Sequence, residues 1–275
     1  MTVLIVGGSG FLGTELTRQA VAAGRATAAT FTTAPGSVPQ ATWHALDLQE
    51  AERVEAVVVE VNPHLVINAT SSMADWAVTA EGPARLAMAA AKLGCRLVHV
   101  SSDAVFSGAR IHYDESCPPD PVTPYGAAKA AAETGVRLLA PNAVIARTSL
   151  IIGGARSVHV RLVHDLAAGE REGVLFTDDI RCPVHVADLA AALLELGSSD
   201  AHGVHHLAGA DAVSRHELGV LIAKRDGLAP SRLPKGLRAG TALPGALDVR
   251  LDSRATQRQL HTTLRGARQF LAAGA

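Results

Sequence analysis

The sequence lacks a charge imbalance and a disulfide framework, and each absence excludes a class of protein. Its 25 basic and 26 acidic residues leave a formal net charge of -1, so no electrostatic field gathers nucleic acid or an anionic membrane surface. The three cysteines (Cys95, Cys117 and Cys182) are far apart and have no metal-ligand spacing. An odd number of such thiols fits a reducing compartment better than disulfide pairing.

Long apolar runs are absent as well. The start, MTVLIVGGSG, has neither the basic nor the long apolar region of a signal peptide, and no later run reaches membrane-spanning length. We therefore expect a cytoplasmic protein with no membrane partner and no nucleic-acid partner. With 275 residues, of which 48% are hydrophobic, the chain can bury a doubly wound sheet and carry a smaller lobe.

Short apolar runs alternate with helical stretches through the first half of the chain, which predicts a parallel α/β sheet. Each predicted helix ends at a glycine or at Asn-Pro, as helices commonly do. The predicted helices are Phe11 to Ala23, Gln49 to Val61 and Ala80 to Leu93. The predicted strands are Val3 to Val6, Ala26 to Phe31, Trp43 to Leu46, Leu65 to Asn68, Arg96 to Ser101 and Ala143 to Arg147.

The pattern loosens after about residue 150. A helix is still predicted over Val186 to Leu196, a strand over Val204 to Leu207, and a capping box from Ser214 to Glu217 opens another helix. Prolines and glycines crowd residues 230–245 and indicate an irregular loop. We expect a doubly wound core over residues 1–150 and a smaller lobe over 151–275, with some segments of the lobe returning to the core.

A glycine-rich turn follows the first predicted strand directly. Glycines at this junction allow a tight turn, and the backbone N–H groups at the following helix N-terminus can bind a pyrophosphate. The position of the turn predicts a Rossmann-type dinucleotide site, and a plain glycine-rich turn is the alternative. The expected cofactor-binding residues of this turn are Gly7, Ser9, Gly10, Phe11, Leu12 and Gly13.

The end of the second strand bears on the choice of cofactor. An acidic residue there would bind the adenosine ribose hydroxyls, but residues 29–33 offer only threonine hydroxyls. This absence favours NADP(H) slightly over NAD(H), with Arg25 before the strand as a speculative phosphate partner. Asp47 and Leu48, after the third strand, either line the adenine pocket or form an ordinary surface segment.

Tyr125 and Lys129 are spaced by one helical turn in an alanine-rich stretch, which puts a phenol and an ammonium on one face. An ammonium that favours phenolate helps a tyrosine to exchange protons, and the phenol could protonate a developing alkoxide. We expect both residues to contact the cofactor as well, with Lys129 holding the nicotinamide ribose. The alternative is an amphipathic tyrosine at a helix start beside a solvated lysine.

A buried strand from Leu97 ends in the hydroxyls of Ser101 and Ser102, at the sheet edge where ligands bind. Since successive strand side chains face opposite ways, only one of the two serines should share a site with Tyr125. We predict that Ser102 hydrogen-bonds a substrate carbonyl. A serine that caps a turn explains this stretch equally well.

Five motifs taken together resemble the extended short-chain dehydrogenase/reductases, and most of all their dTDP-4-dehydrorhamnose reductase-like branch. They occur in the family order along nearly the whole chain: Gly7-x-x-Gly10-x-x-Gly13, Val100 to Gly108, Tyr125-x-x-x-Lys129, Arg147-Thr-Ser149 and Arg181 to Ala190.

The resemblance implies a catalytic triad of Ser102, Tyr125 and Lys129, hydride transfer from NAD(P)H, and a nucleotide-linked 4-keto-6-deoxy sugar as substrate. It places Asp103 and Ser149 near the substrate, with Thr148 beside Ser149. The segment implied to pass beside the cofactor is Asn68, Ala69 and Thr70.

The chain departs from the family pattern around the substrate. Ala104 and Leu150 stand where the family usually has aromatic residues, which removes surface that could pack against a sugar or base. The segment over residues 71–82 is shortened and changes one wall of the expected pocket. Arg181 is a candidate ligand for a substrate phosphate or carboxylate, with a structural salt bridge as the alternative.

Two other activities remain open, and both use the same fold. An epimerase or dehydratase would retain NAD, and a non-catalytic subunit would bind dinucleotide or a partner protein. A homodimer also stays open as a partner hypothesis. We predict no metal site, because His205 and His206 are neighbours on a strand and face opposite ways, and no serine hydrolase, because no Gly-x-Ser-x-Gly elbow follows a predicted strand.

Overall fold

Parallel strands and helices alternate along the chain, as the sequence predicts. A computed structural model describes residues 1–272 of the protein. In these residues seven strands form the central sheet: β1 (Thr2–Val6), β2 (Ala26–Phe31), β3 (Thr42–Ala45), β4 (Leu65–Asn68), β5 (Arg96–Ser102), β6 (Val144–Thr148) and β7 (Gly203–Leu207). The longer helices are α1 (Phe11–Ala22), α2 (Ala51–Val61), α3 (Gly82–Leu93), α4 (Pro124–Leu139), α5 (Val158–Ala168), α6 (Val186–Gly197) and α7 (Arg215–Arg225).

The strand order of the sheet is β7-β6-β5-β4-β1-β2-β3, and all neighbours run parallel. The chain passes from β1 to β2 and β3 on one side and then crosses to β4 on the other. This reversal opens a crevice at the carboxyl ends of β1 and β4. The predicted doubly wound α/β class is confirmed, and the crevice is where the candidate site is built.

Both faces of the sheet are buried, which explains why its strands are continuously apolar. Along β1, Val3 and Ile5 pack into the core beneath α1 and α6, whereas Leu4 and Val6 pack into the core beneath α2 and α3. The two layers hold the strands rigidly, so the positions of side chains at the strand ends are well defined.

The predicted helix boundaries follow local chemistry. Asn62 ends α2 with a φ of 46°, and Gly94 ends α3 with a φ of 66°, both in the left-handed region. The hydroxyl of Ser214 accepts a hydrogen bond from the N–H of Glu217 at 3.0 Å, as the capping box predicts. The stretch predicted as one helix from Ala80 differs, because a π-helical turn (Ala77–Glu81) precedes α3.

Residues after 150 contribute to two bodies. Helix α6 packs on α1, and β7 pairs with β6, so these elements return to the central sheet. Helices α5 and α7 instead enclose a separate apolar cluster with Leu175 and Phe270, and we call the segments around this cluster the second lobe. Within the described residues, no helix is both long enough and apolar enough to cross a bilayer.

Short elements complete the second lobe and the rim of the sheet. Two-residue strands pair Ile180–Arg181 with Val213–Ser214, Val184–His185 with Ile151–Ile152, Lys235–Gly236 with Leu175–Phe176, and Arg250–Leu251 with His112–Tyr113. The remaining short helices are Asp103–Val105, Pro230–Arg232, Arg254–Gln257 and Ala267–Phe270. The predicted irregular segment over residues 230–245 contains the short helix Pro230–Arg232 and the strand Lys235–Gly236, and its other residues are turns, bends and irregular backbone.

Candidate active site

The glycine turn joins β1 to α1 in a conformation that depends on its glycines. Gly7 has a φ of 81°, a backbone conformation that residues with a side chain rarely adopt. Its N–H donates a hydrogen bond to Thr30 Oγ1 at 2.9 Å. A Cβ on Gly13 would collide with the Gly7 carbonyl, so the helix can approach the strand only at a glycine. This close approach leaves the first N–H groups of α1, from Phe11 and Leu12, at the crevice. The turn therefore has the shape that a pyrophosphate requires.

The segment after β4 forms the neighbouring wall of the crevice. Asn68 is buried and its Oδ1 accepts hydrogen bonds from the N–H and the hydroxyl of Thr70, at 3.1 Å and 2.6 Å. Its amide nitrogen lies 3.2 Å from His99 Nδ1. Thr70 lies so close to Gly7 that a Cβ added to Gly7 would collide with the methyl group of Thr70. Asn68 thus shapes the loop, and Ala69 and Thr70 lie beside the glycine turn.

Asp47 and Leu48 follow β3 at the same edge of the sheet. Leu48 is buried against Gly82, and its carbonyl accepts a hydrogen bond from Arg85 at 2.8 Å. Asp47 is half-buried and accepts the N–H of Gln49 at 3.0 Å. Both residues are therefore fixed at the side of the crevice where an adenine would lie.

The two serines at the end of β5 point in opposite directions. The hydroxyl of Ser101 donates to Glu133 at 2.6 Å, inside the protein. Ser102 is half-buried near Tyr125, and its Oγ accepts the N–H of Ala104 at 3.2 Å. Ser102 therefore caps a turn and also faces the crevice, so the two interpretations of its sequence are compatible.

Tyr125 enters the crevice from the first turn of α4. Thr123 caps this helix through a 3.0 Å hydrogen bond from Gly126 N–H, and Pro124 pre-sets the first helical turn. Burial raises the pKa of the Tyr125 phenol, and the negative charge of Asp103 raises it further, although Ser71 and Ser102 act in the opposite direction. The phenol therefore stays protonated at neutral pH and can serve as a proton donor.

Lys129 lies one turn further along α4 and is only 2% exposed. Its Nζ donates to the carbonyl oxygens of Val100 at 3.0 Å and Thr70 at 3.5 Å, which tie it to the ends of β5 and β4. Burial lowers its pKa to about 8, and the nearby Glu133 carboxylate opposes the shift. The ammonium thus lies between the predicted cofactor wall and α4, and its effect on the Tyr125 phenol stays a prediction.

We expect reduction by this site to lose activity as the pH rises through about 8, because Lys129 then loses the charge that would hold a ribose. Tyr125 has a raised pKa and adds no titration near this pH. The measurement is kcat/KM from pH 6 to 10. A Lys129→Arg variant keeps its charge throughout and should show a flat profile, whatever its absolute rate. The same alkaline loss in that variant would contradict the assignment.

Asp103 organises the polar side of the crevice. Its carboxylate accepts the hydroxyl of Ser149 at 2.6 Å, lies 3.3 Å from Ser102 Oγ, and is 3.7 Å from the Arg181 guanidinium. Thr148, by contrast, donates to the carbonyl of Leu207 and points away. Asp103 thus accepts the hydroxyls of Ser149 and Ser102 and lies beside the Arg181 guanidinium.

The guanidinium of Arg181 already has hydrogen-bond and ion-pair partners within the protein. Its guanidinium donates to the carbonyl oxygens of Ile180 and Ala246, both at 2.7 Å, and forms an ion pair with Asp179 at 2.9 Å. Only 8% of the residue is exposed. This geometry favours the structural alternative over a direct contact with substrate.

Arg25 does not lie at the predicted site. It precedes β2 and therefore stands at the amino edge of the sheet, opposite the crevice, where it lines a surface cavity with Gln19 and Glu195. The speculative role of Arg25 as a cofactor phosphate partner is therefore wrong.

The two neighbouring histidines of β7, His205 and His206, have different surroundings. His205 lies near Thr256 Oγ1 at 3.3 Å, whereas the ring of His206 packs edge-on against Phe106 with centroids 6.1 Å apart. No group of three potential ligands in residues 1–272 is arranged to hold a metal ion. The histidines therefore serve packing and hydrogen bonding.

A cavity of about 260 Å³ opens in the second lobe. Its walls are mostly apolar side chains of α5, α7 and the strand at Leu175, and its polar lining is His159, Asp179 and Arg215. Burial and the Arg215 charge lower the pKa of His159 to about 4, so its imidazole is neutral at physiological pH. Through Asp179, Arg181 and Asp103, a continuous chain of charged groups connects this cavity to Ser102.

Sequence reasoning missed three features of the site. Ser71 lies beside the Tyr125 phenol, and its position directly after the wall segment was the available signal. Glu133 forms a buried ion pair with Arg147 at 2.8 Å, and its one-turn spacing from Lys129 could have indicated it. The cavity with His159 and Arg215 joins helices that are distant in sequence, and no local pattern could have predicted it.

The sequence profile described as RmlD substrate binding domain matches residues 1–271. A dTDP-4-dehydrorhamnose reductase of Mycobacterium tuberculosis is 32% identical over 243 residues, which cover 84% of this chain and 77% of that protein. The Bacillus subtilis spore coat polysaccharide biosynthesis protein SpsK is 28% identical over 237 residues, covering 82% of this chain and 80% of SpsK.

Solved structures share the fold across almost the whole chain. A hypothetical dTDP-4-dehydrorhamnose reductase of Sulfolobus tokodaii superposes with a TM-score of 0.83 at 26% identity, covering 96% of this chain and 97% of that one. The Bacillus anthracis dTDP-4-dehydrorhamnose reductase in complex with NADP gives a TM-score of 0.82 at 23% identity, over 98% and 96% of the two chains. The resemblance read from the motifs is confirmed, and the chain belongs to the RmlD substrate binding domain family.

Proposed function

We propose that this protein is an NAD(P)H-dependent reductase of a nucleotide-linked 4-keto sugar, of the 4-keto-6-deoxy class or a related biosynthetic intermediate. The observation that carries the proposal is a protonated, half-buried phenol, Tyr125, set beside Ser102 at the carboxyl edge of the sheet and next to a glycine turn shaped for pyrophosphate. The names of the curated relatives support the same substrate class.

The residues of the crevice fit a dinucleotide. The glycine turn and the α1 N-terminus suit the pyrophosphate, Asp47 and Leu48 stand beside the adenine position, and Lys129 would hold the nicotinamide ribose. When bound, the reduced nicotinamide supplies a hydride. The absence of an acidic residue at the end of β2 supports a preference for NADP(H) over NAD(H).

Side chains of the protein would supply the proton that the ketone oxygen gains. The Ser102 hydroxyl would turn its one proton from Asp103, where Oδ1 lies 3.3 Å away, to the ketone oxygen, while the N–H of Ala104 keeps its hydrogen bond to Ser102 Oγ. As hydride reaches the carbonyl carbon, the Tyr125 phenol gives its proton to the oxygen, and the product is a secondary alcohol. The phenolate recovers its proton from solvent, so each turnover consumes one hydride and one proton.

The second lobe would hold the nucleotide part of the substrate. Its cavity offers apolar walls for a base, a neutral His159 for hydrogen bonding and the cation of Arg215 for a phosphate. The charged chain to Ser102 connects this cavity with the reacting ketone. Leu150 in place of the usual aromatic residue removes surface that could pack against the sugar.

Removing the Arg215 charge should weaken substrate binding and leave the chemical step intact. Asp179 keeps its ion pairs with Arg181 and Arg238 at 2.9 Å, so Arg215→Gln should fold. We expect KM for the nucleotide-linked ketone to rise roughly 10- to 100-fold with kcat little changed, as for one lost charge-assisted hydrogen bond. An Arg171→Gln variant on the exposed surface is the matched control. An unchanged KM in Arg215→Gln would place the nucleotide elsewhere.

The proposed activity is tested by the loss of NADPH absorbance, with NADH in parallel, when the purified protein meets nucleotide-linked 4-keto-6-deoxy sugars. Turnover identifies a ketoreductase and ranks the two cofactors. Oxidised NAD that copurifies, with no net consumption of reduced cofactor, would instead favour the epimerase or dehydratase. A protein that binds neither cofactor would overturn the proposal.

A further inference from the structure

The phosphate-binding turn carries no cation of its own. Residues 7–14 contain no charged side chain, and neither do residues 29–33 at the end of β2. A helix N-terminus contributes only about half an elementary charge, whereas a dinucleotide brings at least two negative charges. If the turn holds a dinucleotide, as proposed above, a cation from elsewhere in the chain would strengthen its hold on the phosphates.

Arg156 reaches the turn from the second lobe. Its Nη1 donates to Thr14 Oγ1 and its Nη2 donates to the carbonyl oxygen of Ser9, both at 2.9 Å. These contacts span 142 and 147 residues of sequence. The guanidinium is thereby fixed against the turn that begins α1.

The charge of Arg156 remains available to a ligand. Its side-chain hydrogen bonds within residues 1–272 go to neutral oxygens, and no carboxylate there forms an ion pair with it. Arginine has five N–H donors and these contacts use two, so donors remain for an anion. The residue is exposed to solvent, so a ligand can reach it.

The backbone that carries Arg156 is held in place independently of this side chain. Gly153 packs so tightly on Phe11 and Val186 that a Cβ there would contact both, and its carbonyl accepts a hydrogen bond from Arg225 at 3.1 Å. The N–H of Ser157 bonds the carbonyl of Gly154 at 2.9 Å and closes a turn around Arg156. The arginine is thus presented to the α1 N-terminus from a fixed segment.

We infer that Arg156 is a phosphate ligand of the dinucleotide, supplied by the second lobe to a turn that lacks a cation. The guanidinium binds either the pyrophosphate, which NADH and NADPH share, or the adenosine 2′-phosphate, which only NADPH carries. Either contact couples cofactor binding to the lobe that would hold the substrate. The inference rests on the proposed cofactor site, and Arg156 acts in binding, since nothing places it at the reacting atoms.

The test is calorimetric titration of NADPH and NADH into the full chain and into Arg156→Gln. We expect the variant to bind with a Kd roughly 10- to 100-fold higher, as for the loss of one charge-assisted contact. Weakening of both cofactors identifies the pyrophosphate, and weakening of NADPH alone identifies the 2′-phosphate. Arg156→Lys should recover part of the affinity, because it restores the charge without the fork of donors.

Arg161→Gln is the matched control, because Arg161 is an exposed arginine one turn into α5. It should change neither Kd, and the melting temperature of each variant without cofactor reports its folding. A Kd for Arg156→Gln within twofold of the unaltered protein for both cofactors would overturn the inference and leave the proposed function standing. An unaltered protein that binds neither cofactor would overturn both together.

Discussion

Replacing Tyr125 with phenylalanine should lower kcat for ketone reduction by roughly 10²- to 10⁴-fold, which is the usual contribution of a positioned general acid. The ring remains to fill its place at the start of α4, but the hydroxyl that would protonate the ketone oxygen is gone. Since most of the proposed cofactor contacts come from the glycine turn, the segment after β4 and Lys129, the Kd for NADPH should stay nearly unchanged. Stopped-flow reduction and calorimetric titration measure the two quantities separately.

The chain offers a matched control in its second tyrosine. Tyr113 is buried and stacks on Phe106 with ring centroids 4.0 Å apart, and its hydroxyl accepts the N–H of Arg110 at 3.0 Å. Tyr113→Phe removes the same atom from a structural site and should retain turnover. Equal turnover in Tyr125→Phe and the unaltered protein would remove Tyr125 from the mechanism.

The fold and the crevice were predictable because their signals are local. The apolar runs and the helix stops lie within a few residues of each other, and strands predicted from them match those observed to within one or two residues. The glycine turn was predictable for the same reason, because a strand, a turn and a helix follow one another directly. Parallel topology then brings the ends of β1, β4 and β5 to one edge.

Side-chain roles that depend on distant partners were not predictable. Arg25 stands close to β2 in sequence but at the wrong end of the strand, so proximity along the chain was misleading. Arg181 was predicted as a ligand of a substrate phosphate or carboxylate, but its guanidinium is bonded to backbone carbonyls and to a carboxylate of the protein. Arg156 gave no signal, because its partners are more than a hundred residues away. Such contacts are set by the packing of the two lobes.

A buried ion pair lies beneath the candidate site and connects it to the sheet. Glu133 and Arg147 form an ion pair at 2.8 Å whose side chains are 6% and 3% exposed. Ser101 donates to the same carboxylate at 2.6 Å, and the Arg147 guanidinium also lies over the Phe106 ring at 5.0 Å from its centroid. The pair joins α4, which carries Tyr125 and Lys129, to β6 and β5 of the sheet.

Glu133→Gln should therefore lower the free energy of unfolding by about 3–5 kcal/mol, because it leaves the Arg147 cation buried without its counter-charge. The amide has nearly the same shape, so the loss reports charge and not packing. Urea denaturation at pH 7 measures it. Because Glu133 also stabilises the charged form of Lys129, the alkaline loss of activity should move to lower pH in the variant.

Two comparisons make this prediction specific. Glu55→Gln breaks the exposed ion pair with Lys92 at 2.9 Å and should cost no more than about 1 kcal/mol, as surface pairs usually do. Adding Arg147→Met to Glu133→Gln removes the stranded cation and should recover much of the lost stability. Stability of Glu133→Gln equal to that of the unaltered protein would mean that the Cys117 carbonyl and the Phe106 ring balance the Arg147 charge without Glu133. The ion pair would then hold α4 in register with the sheet without contributing to the stability of the fold.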